Sequence, residues 1–225
     1  MALSDKRILE EIERGNILVH PWDPSCLSTS SLDVRLGRYY YRQIPSLFPV
    51  YNIWSEDHTA RVWGEPQKAL SAKNVLAHIR GFKFGEGIEP DDAVILINPG
   101  ETILGHTEEF VGGMNVITTK MQARSSLGRS GIEVCKCAGW GDVGYVNRWT
   151  MEITNNSKHY HIPLVVGRRI AQLIFFETGP ILDKNYAHSG KYQTTTDIKK
   201  LKKDWNPLSM LPKLYLDRDI KKKNM

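Results

Sequence analysis

The sequence predicts an all-β chain, a barrel or jelly roll with one short helix at its start. Three observations lead there. Strand-like stretches are short, and Gly or Pro turns separate them along most of the 225 residues. Only the first stretch, LSDKRILEEIERGN, carries a clear helical period. The run from Arg169 to Phe176 is nearly all apolar, as a strand buried on both faces would be, with Gln172 the exception. No internal repeat is present.

The elements follow in order. Ser4 is placed to cap a helix over residues 5–14, with Asp5 in the first turn and Gly15 as the stop. Leu3 and Ile8 stand at the two positions of a hydrophobic staple. Ile17 to His20 reads as a strand, and HPWDPSCLSTS as a loop. Leu32, Val34 and Leu36 alternate with Asp33 and Arg35, which predicts a half-buried strand. Residues 44–90 contain Pro45, Pro49, Pro66 and scattered aromatics without a long helical period, and read as short strands and loops. Ala93 to Asn98, Glu101 to His106 and Val116 to Gln122 read as further strands. Ile132 to Ala138 alternates in the same way. From Tyr145 to Asn155 the apolar residues Tyr145, Trp149, Met151 and Ile153 share one strand face. Arg148, Thr150, Glu152 and Thr154 share the other.

Composition narrows the class. Hydrophobic residues make up 41% and charged residues 24%, ordinary for a soluble domain. No apolar run approaches the ~20 residues of a membrane span, and MALSDKRILEEIERGN has no signal-peptide core. Cys26, Cys135 and Cys137 cannot build a disulfide framework, so a reducing cytoplasm is expected. The net charge of +5 sits wholly in residues 197–225, with nine Lys or Arg against four Asp. The body, residues 1–196, is balanced. A neutral body argues against nucleic-acid binding. The last 29 residues read as a solvated or partly ordered basic tail, expected to be dispensable for the fold.

Chemistry concentrates between Gln122 and Asn156. Two arginines and two serines crowd Arg124 to Arg129, a turn suited to a polyphosphate. A Gly-rich corner follows with Asp142 as its acid. Glu152 then lies among threonines on a polar strand face, where a carboxylate can activate water. Other motifs fail. His106-Thr-Glu108 matches half of a zinc-deaminase pattern, but P-C-x-x-C is missing. Cys135-Lys-Cys137 reads as a pair of small core residues on a strand. No phosphate-binding P-loop and no dinucleotide-binding glycine motif occurs.

Taken together, SSLDVRLG, ARSSLGRSGI, AGWGDVGY, TMEITN, RRIAQLIFF and GKYQ resemble the dCTP deaminase branch of the trimeric dUTPase superfamily, block by block to about residue 195. The resemblance implies a distorted jelly roll and a homotrimer with sites at subunit interfaces. It implies that Arg124, Ser125, Ser126, Leu127, Gly128 and Arg129 bind triphosphate. Ala138 matches the small residue near the pyrimidine and Asp142 the acid near the sugar. Tyr145 matches the aromatic that packs on deoxyribose. Thr150 and Met151 match the strand edge beside the base, and Glu152 the catalytic carboxylate. Gln172 matches a nucleotide-contacting Gln. Tyr186, Lys191 and Thr195 fall in the segment that closes over the phosphates, with Thr195 where the family has Gln.

The activity so implied is deamination of dCTP to dUTP without zinc, with Mg²⁺ held through the substrate's phosphates and not by protein ligands. Some members carry on to dUMP and pyrophosphate. Gly139 and Gln172 look like those members, Gly139 by leaving space for a second water that Asp142 would orient. Two other readings stay open: a diphosphatase acting on dUTP alone, and an inactive trimer that binds nucleotide for regulation. The chain also departs from the family by its longer 44–90 region and its basic tail.

Overall fold

A computed structural model describes residues 1–45, 49–193 and 195–217. Parts of the 44–90 region (46–48) and of the basic segment (218–225), both covered by the sequence reading, lie outside the described residues. The N-terminal half holds α1 (Asp5–Glu13), β1 (Ile17–His20), β2 (Leu27–Ser28), β3 (Ser31–Arg35), β4 (Tyr39–Arg42) and α2 (Glu56–Trp63). Then come β5 (Gln67–Lys68), β6 (Leu70–Ser71), α3 (Ala72–Leu76), β7 (Ala93–Ile97), β8 (Thr102–Gly113) and β9 (Ile117–Ala123). The C-terminal half adds α4 (Ser125–Arg129), β10 (Ile132–Glu133), β11 (Trp140–Gly141), β12 (Val146–Asn155), β13 (Ile162–Val165) and β14 (Arg169–Glu177). It ends with α5 (Tyr186–Ser189) and α6 (Ile198–Asp204).

Among the described residues the strands form three antiparallel sheets. The first runs β10-β12-β8-β4-β5, with β1 also on β8. The second runs β11-β9-β14-β3-β2, and the third β13-β7-β6. One core takes side chains from all three, including Val34, Ile95, Ile103, Met121, Met151, Ile153, Leu173 and Phe175. The mainly β architecture expected from the alternating segments is therefore what the chain adopts.

The N-terminal helix forms as its caps dictate. Ser4 Oγ accepts the Arg7 N–H at 3.4 Å, and Gly15 takes φ +74° just past the end. Leu3 and Ile8 are both buried. Glu11 is buried too, its carboxylate met by Arg7 at 2.9 Å, Arg14 at 2.8 Å and Asn16 at 2.6 Å. Three donors on one buried carboxylate are what make that burial tolerable.

Three features depart from the expectation. Residues 44–90 contain α2 and α3, not only short strands and loops. Ser55 caps α2 by accepting the His58 N–H at 3.3 Å, and Glu56 and Asp57 occupy its first turn. Second, Ile132 to Ala138 is not a continuous strand. Pairing stops after Glu133, and Cys135, Lys136 and Cys137 turn left-handed, with φ of 73°, 37° and 66°. The two thiols therefore do not share a strand face; Cys135 is buried and Cys137 exposed.

Third, the basic segment is not simply solvated. Leu201 of α6 is buried with Phe110 and Val146, and Met210 with Tyr41, Trp63 and Leu104. The lysines of α6 occupy the wet side of an amphipathic helix whose apolar residues dock on the body. His106, whose zinc-deaminase pattern the sequence leaves incomplete, is a structural residue. It is buried, and its Nε2 accepts the Tyr39 N–H at 3.2 Å. Its Nδ1 donates to the Thr107 carbonyl at 2.7 Å, which fixes a neutral tautomer. Burial pulls its pKa down to about 4. Its ring also explains Gly37, where a Cβ would fall 1.9 Å from the imidazole.

The docked segment yields a test. Met210→Ala empties a buried site beside Trp63 and Leu104, and should cost about 2–5 kcal/mol. Urea denaturation would read this as a lower midpoint with an unchanged slope. An unaltered midpoint would mean that the segment contributes nothing to the body.

Candidate active site

β12 builds the site. It pairs with β8 in a register that shifts between Arg148 and Thr150. The bulge lets Trp149 turn into the core, where its Nε1 donates to the Val111 carbonyl at 2.8 Å. Beyond it the period-2 alternation resumes. Met151 and Ile153 are fully buried. Thr150 and Glu152 face a pocket of about 770 Å³. Pairing with β10 covers the outer edge of β12 only at Thr154 and Asn155, and the Cys135 N–H donates to the Glu152 carbonyl at 3.2 Å. The strand edge beside Thr150 thus faces the pocket.

Ala138, Asp142, Tyr145, Thr150, Glu152 and Tyr186 line this one pocket, so the structure gathers six of the residues expected at the site. Burial pushes the Glu152 carboxyl above its ordinary value, against smaller downward pulls from its own backbone and from Lys136. Asp142 is exposed at the corner, and its carbonyl accepts the Tyr145 N–H at 2.9 Å. The Tyr145 ring meets Trp149 and Tyr186 edge-on, at centroid distances of 5.1 Å each. Burial raises the Tyr145 phenol as well. The result is an aromatic wall facing a protonatable carboxylate.

Met151 lies on the apolar strand face, as its alternation predicts. Its side chain is fully buried in the core, so only its backbone can border a ligand. Gly139 has a different reason. A Cβ there would lie 2.3 Å from the Met121 carbonyl oxygen, whose N–H in turn donates to the Gly139 carbonyl at 2.7 Å. Close backbone approach explains this glycine, and space for a second water is not needed to account for it.

The Arg-Ser turn lies elsewhere. Arg124 to Arg129 line no part of the pocket. Ser125, Ser126, Gly128 and Arg129 are exposed on or beside α4. Leu127 borders a smaller hollow of about 200 Å³ with Arg168 and Arg169. Arg124 Nε sits 3.3 Å from the buried Asp33 carboxylate, which Arg169 also meets at 3.3 Å. Gln172 donates to the same carboxylate at 3.4 Å. Arg124 and Gln172 are therefore grouped on the second sheet, while Glu152 belongs to the first.

The closing segment is pinned by residues the sequence reading passed over. Gln193 is buried; its Oε1 accepts the Val146 N–H at 2.7 Å, and its Nε2 donates to the Gly144 carbonyl at 2.8 Å. Asn147 Nδ2 donates to the Tyr192 carbonyl at 3.1 Å. Lys191 is ion-paired with Asp217, and Thr195 Oγ1 accepts the Asp197 N–H at 3.1 Å. Tyr192, Met210 and Pro212 add to the pocket wall. The GKYQ block offered a signal for Gln193, but a lone Gln in a polar stretch has no periodicity to mark it as buried.

Comparison with known proteins shows the family. Residues 2–178 match the family model described as dCTP deaminase-like, and the chain belongs to that family. Relatives named "dCTP deaminase, dUMP-forming" include one from Hydrogenobaculum sp., 34% identical over 177 residues, covering 78% of this chain and 81% of the relative. Another, from Nocardioides sp., is 33% identical over 196 residues, covering 85% and 87%. A solved 2'-deoxycytidine 5'-triphosphate deaminase from Agrobacterium tumefaciens shares the fold at a TM-score of 0.50 and 15% identity. That match covers 81% of this chain and 50% of the solved chain.

Gln193→Ala would leave the Val146 N–H and the Gly144 carbonyl unpaired inside the protein. The loss should be about 1–3 kcal/mol, with faster hydrogen exchange at Val146. Unchanged exchange there would show that the segment is held by other contacts.

Proposed function

We propose that this chain removes the 4-amino group of dCTP and carries the product on to dUMP and pyrophosphate. The observation that carries the reading is Glu152, a half-buried carboxylate on a strand face inside an aromatic-walled pocket. Burial raises its pKa toward the range where one group can serve as both base and acid. Glu152 takes a proton from water as the oxygen adds to C4. It then delivers that proton to the ring nitrogen; the proton of the added hydroxyl passes to the amine, the C4–N bond breaks as C4=O forms, and ammonia leaves. Thr150 and the Met151 backbone border the base. The Tyr145 ring offers deoxyribose a flat face that disfavours a 2′-hydroxyl.

The second step is attack of water on the α-phosphorus with loss of pyrophosphate. The names of the relatives support it, since those proteins are described as dUMP-forming. Asp142, exposed at the rim, is the carboxylate positioned to orient that water. Mg²⁺ would arrive on the triphosphate and offset its charge. Arg124, Ser125, Ser126 and Arg129 suit the phosphates chemically, yet they lie outside the pocket of their own chain. We therefore place the complete site between copies of the chain, in a homotrimer, with one copy's Arg-Ser turn facing another's pocket. Among the described residues no helix is long and apolar enough to cross a membrane. Three free cysteines fit a reducing cytoplasm.

Incubation with dCTP and Mg²⁺ should release ammonia, dUMP and pyrophosphate with little free dUTP. Glu152→Gln should lower ammonia release by about 10²–10⁴-fold while dCTP still binds. Ammonia release at the wild-type rate by this variant would remove Glu152 from the chemistry. Accumulation of dUTP by the wild type would limit the protein to deamination, and hydrolysis of dUTP without any ammonia from dCTP would make it a diphosphatase.

A further inference from the structure

The pocket lining is unbalanced in charge. Glu101, Asp142 and Glu152 are its acids, and Lys136 is its one cation among the described residues. Glu101 is occupied by its ion pair with Arg42 and by the Asn98 N–H at 2.7 Å. Asp142 is exposed to water. Glu152 is half-buried, and Lys136 is the one cation that shares its pocket among the described residues.

The backbone holds Lys136 there. Cys135, Lys136 and Cys137 all take left-handed conformations that side-chain-bearing residues rarely adopt. The turn is closed by the Ala138 N–H donating to the Cys135 carbonyl at 2.6 Å. It is tied to the catalytic strand by the Cys135 N–H, which donates to the carbonyl of Glu152 itself at 3.2 Å. Lys136 is thus one residue from a direct backbone link to the carboxylate's own position. A strained turn maintained at such a place points to a role for what it carries.

We propose that Lys136 is a positioning residue that keeps Glu152 ionised, and so able to accept the proton of the attacking water, at neutral pH. The inference rests on the reading of Glu152 as the base. Burial drives the carboxyl toward its neutral form; a hydrogen bond from its own backbone opposes that drive first, and the Lys136 ammonium adds to the opposition. The other titratable groups lining the pocket or flanking Glu152 are Glu101, Asp142, Cys135, Tyr145, Tyr186 and Tyr192. None of them is cationic, and the acids among them act in the opposite sense. Thr102 and Leu104, contributed by the neighbouring β8, carry no charge.

The experiment is the pH dependence of kcat/KM for dCTP in the wild type, Lys136→Met and Lys136→Arg, paired with a ¹³C NMR titration of the Glu152 carboxyl. Lys136→Met should move the acid limb up by roughly half a unit to one unit, and the carboxyl titration with it. Its rate should recover toward wild type above pH 8. Lys136→Arg should restore the wild-type profile. An acid limb and a carboxyl titration unmoved in Lys136→Met would overturn the proposal, even if KM for dCTP rose, because that outcome marks a direct phosphate contact. A proportional loss at every pH would overturn it equally. Failure of the underlying reading is separate: it would appear as ammonia release by Glu152→Gln.

Discussion

One constraint shapes this molecule: β12 must bury one face in the core while holding a carboxylate on the other. Trp149, Met151 and Ile153 anchor the strand from within, and period-2 alternation leaves Thr150 and Glu152 no choice but the pocket side. A register slip by one residue would bury Glu152 and expose Met151. The long β8 partner prevents that slip, and the bulge before Thr150 takes up the irregularity. The pocket, the aromatic wall and the closing segment all attach to this pair of strands. Val146 receives Gln193, Asn147 receives Tyr192, and Glu152 receives the Cys135 turn.

Much of this was legible before the structure. Strands whose faces differ in polarity announce themselves, so β3, β7, β12 and β14 fall where alternation or an apolar run placed them. The N-terminal helix was legible from its cap and staple. What escaped had a physical cause in each case. Val134-Cys135-Lys136-Cys137 mimics alternation, yet the chain turns left-handed there, and nothing in non-glycine residues marks a positive φ. Prolines and scattered aromatics hid α2, although Ser55 followed by Glu56 and Asp57 was a readable helix start. In α6 the lysines masked a spaced apolar stripe, Ile198, Leu201 and Trp205. Trp205 now lies beside His106 and under the Arg148 guanidinium, at 4.7 Å and 4.6 Å. Net charge locates a segment in composition and says little about whether its other face is docked.

The site was legible in its parts and not in their distribution. Sequence order brings the Arg-Ser turn, the corner and the carboxylate within about thirty residues, which suggests one cluster. The fold separates them. β9 delivers Arg124 to the second sheet, beside Asp33 and Gln172, and β12 carries Glu152 in the first. Asp33 shows why the arginines stay where they are: a buried carboxylate needs Arg124 and Arg169 as partners. On the proposed reading such a chain carries half of a nucleotide site on each of two surfaces, and symmetric assembly would join them.

That claim of a shared site can be tested by subunit mixing. If Glu152 is the base and Arg129 a phosphate ligand, Glu152→Gln and Arg129→Ala should each alone be inactive on dCTP. Refolded together in equal amounts, they should regain about a quarter of wild-type deamination, because random assortment pairs an intact turn with an intact pocket at that frequency. A mixture as inactive as its components would place the whole site within one chain and contradict the account.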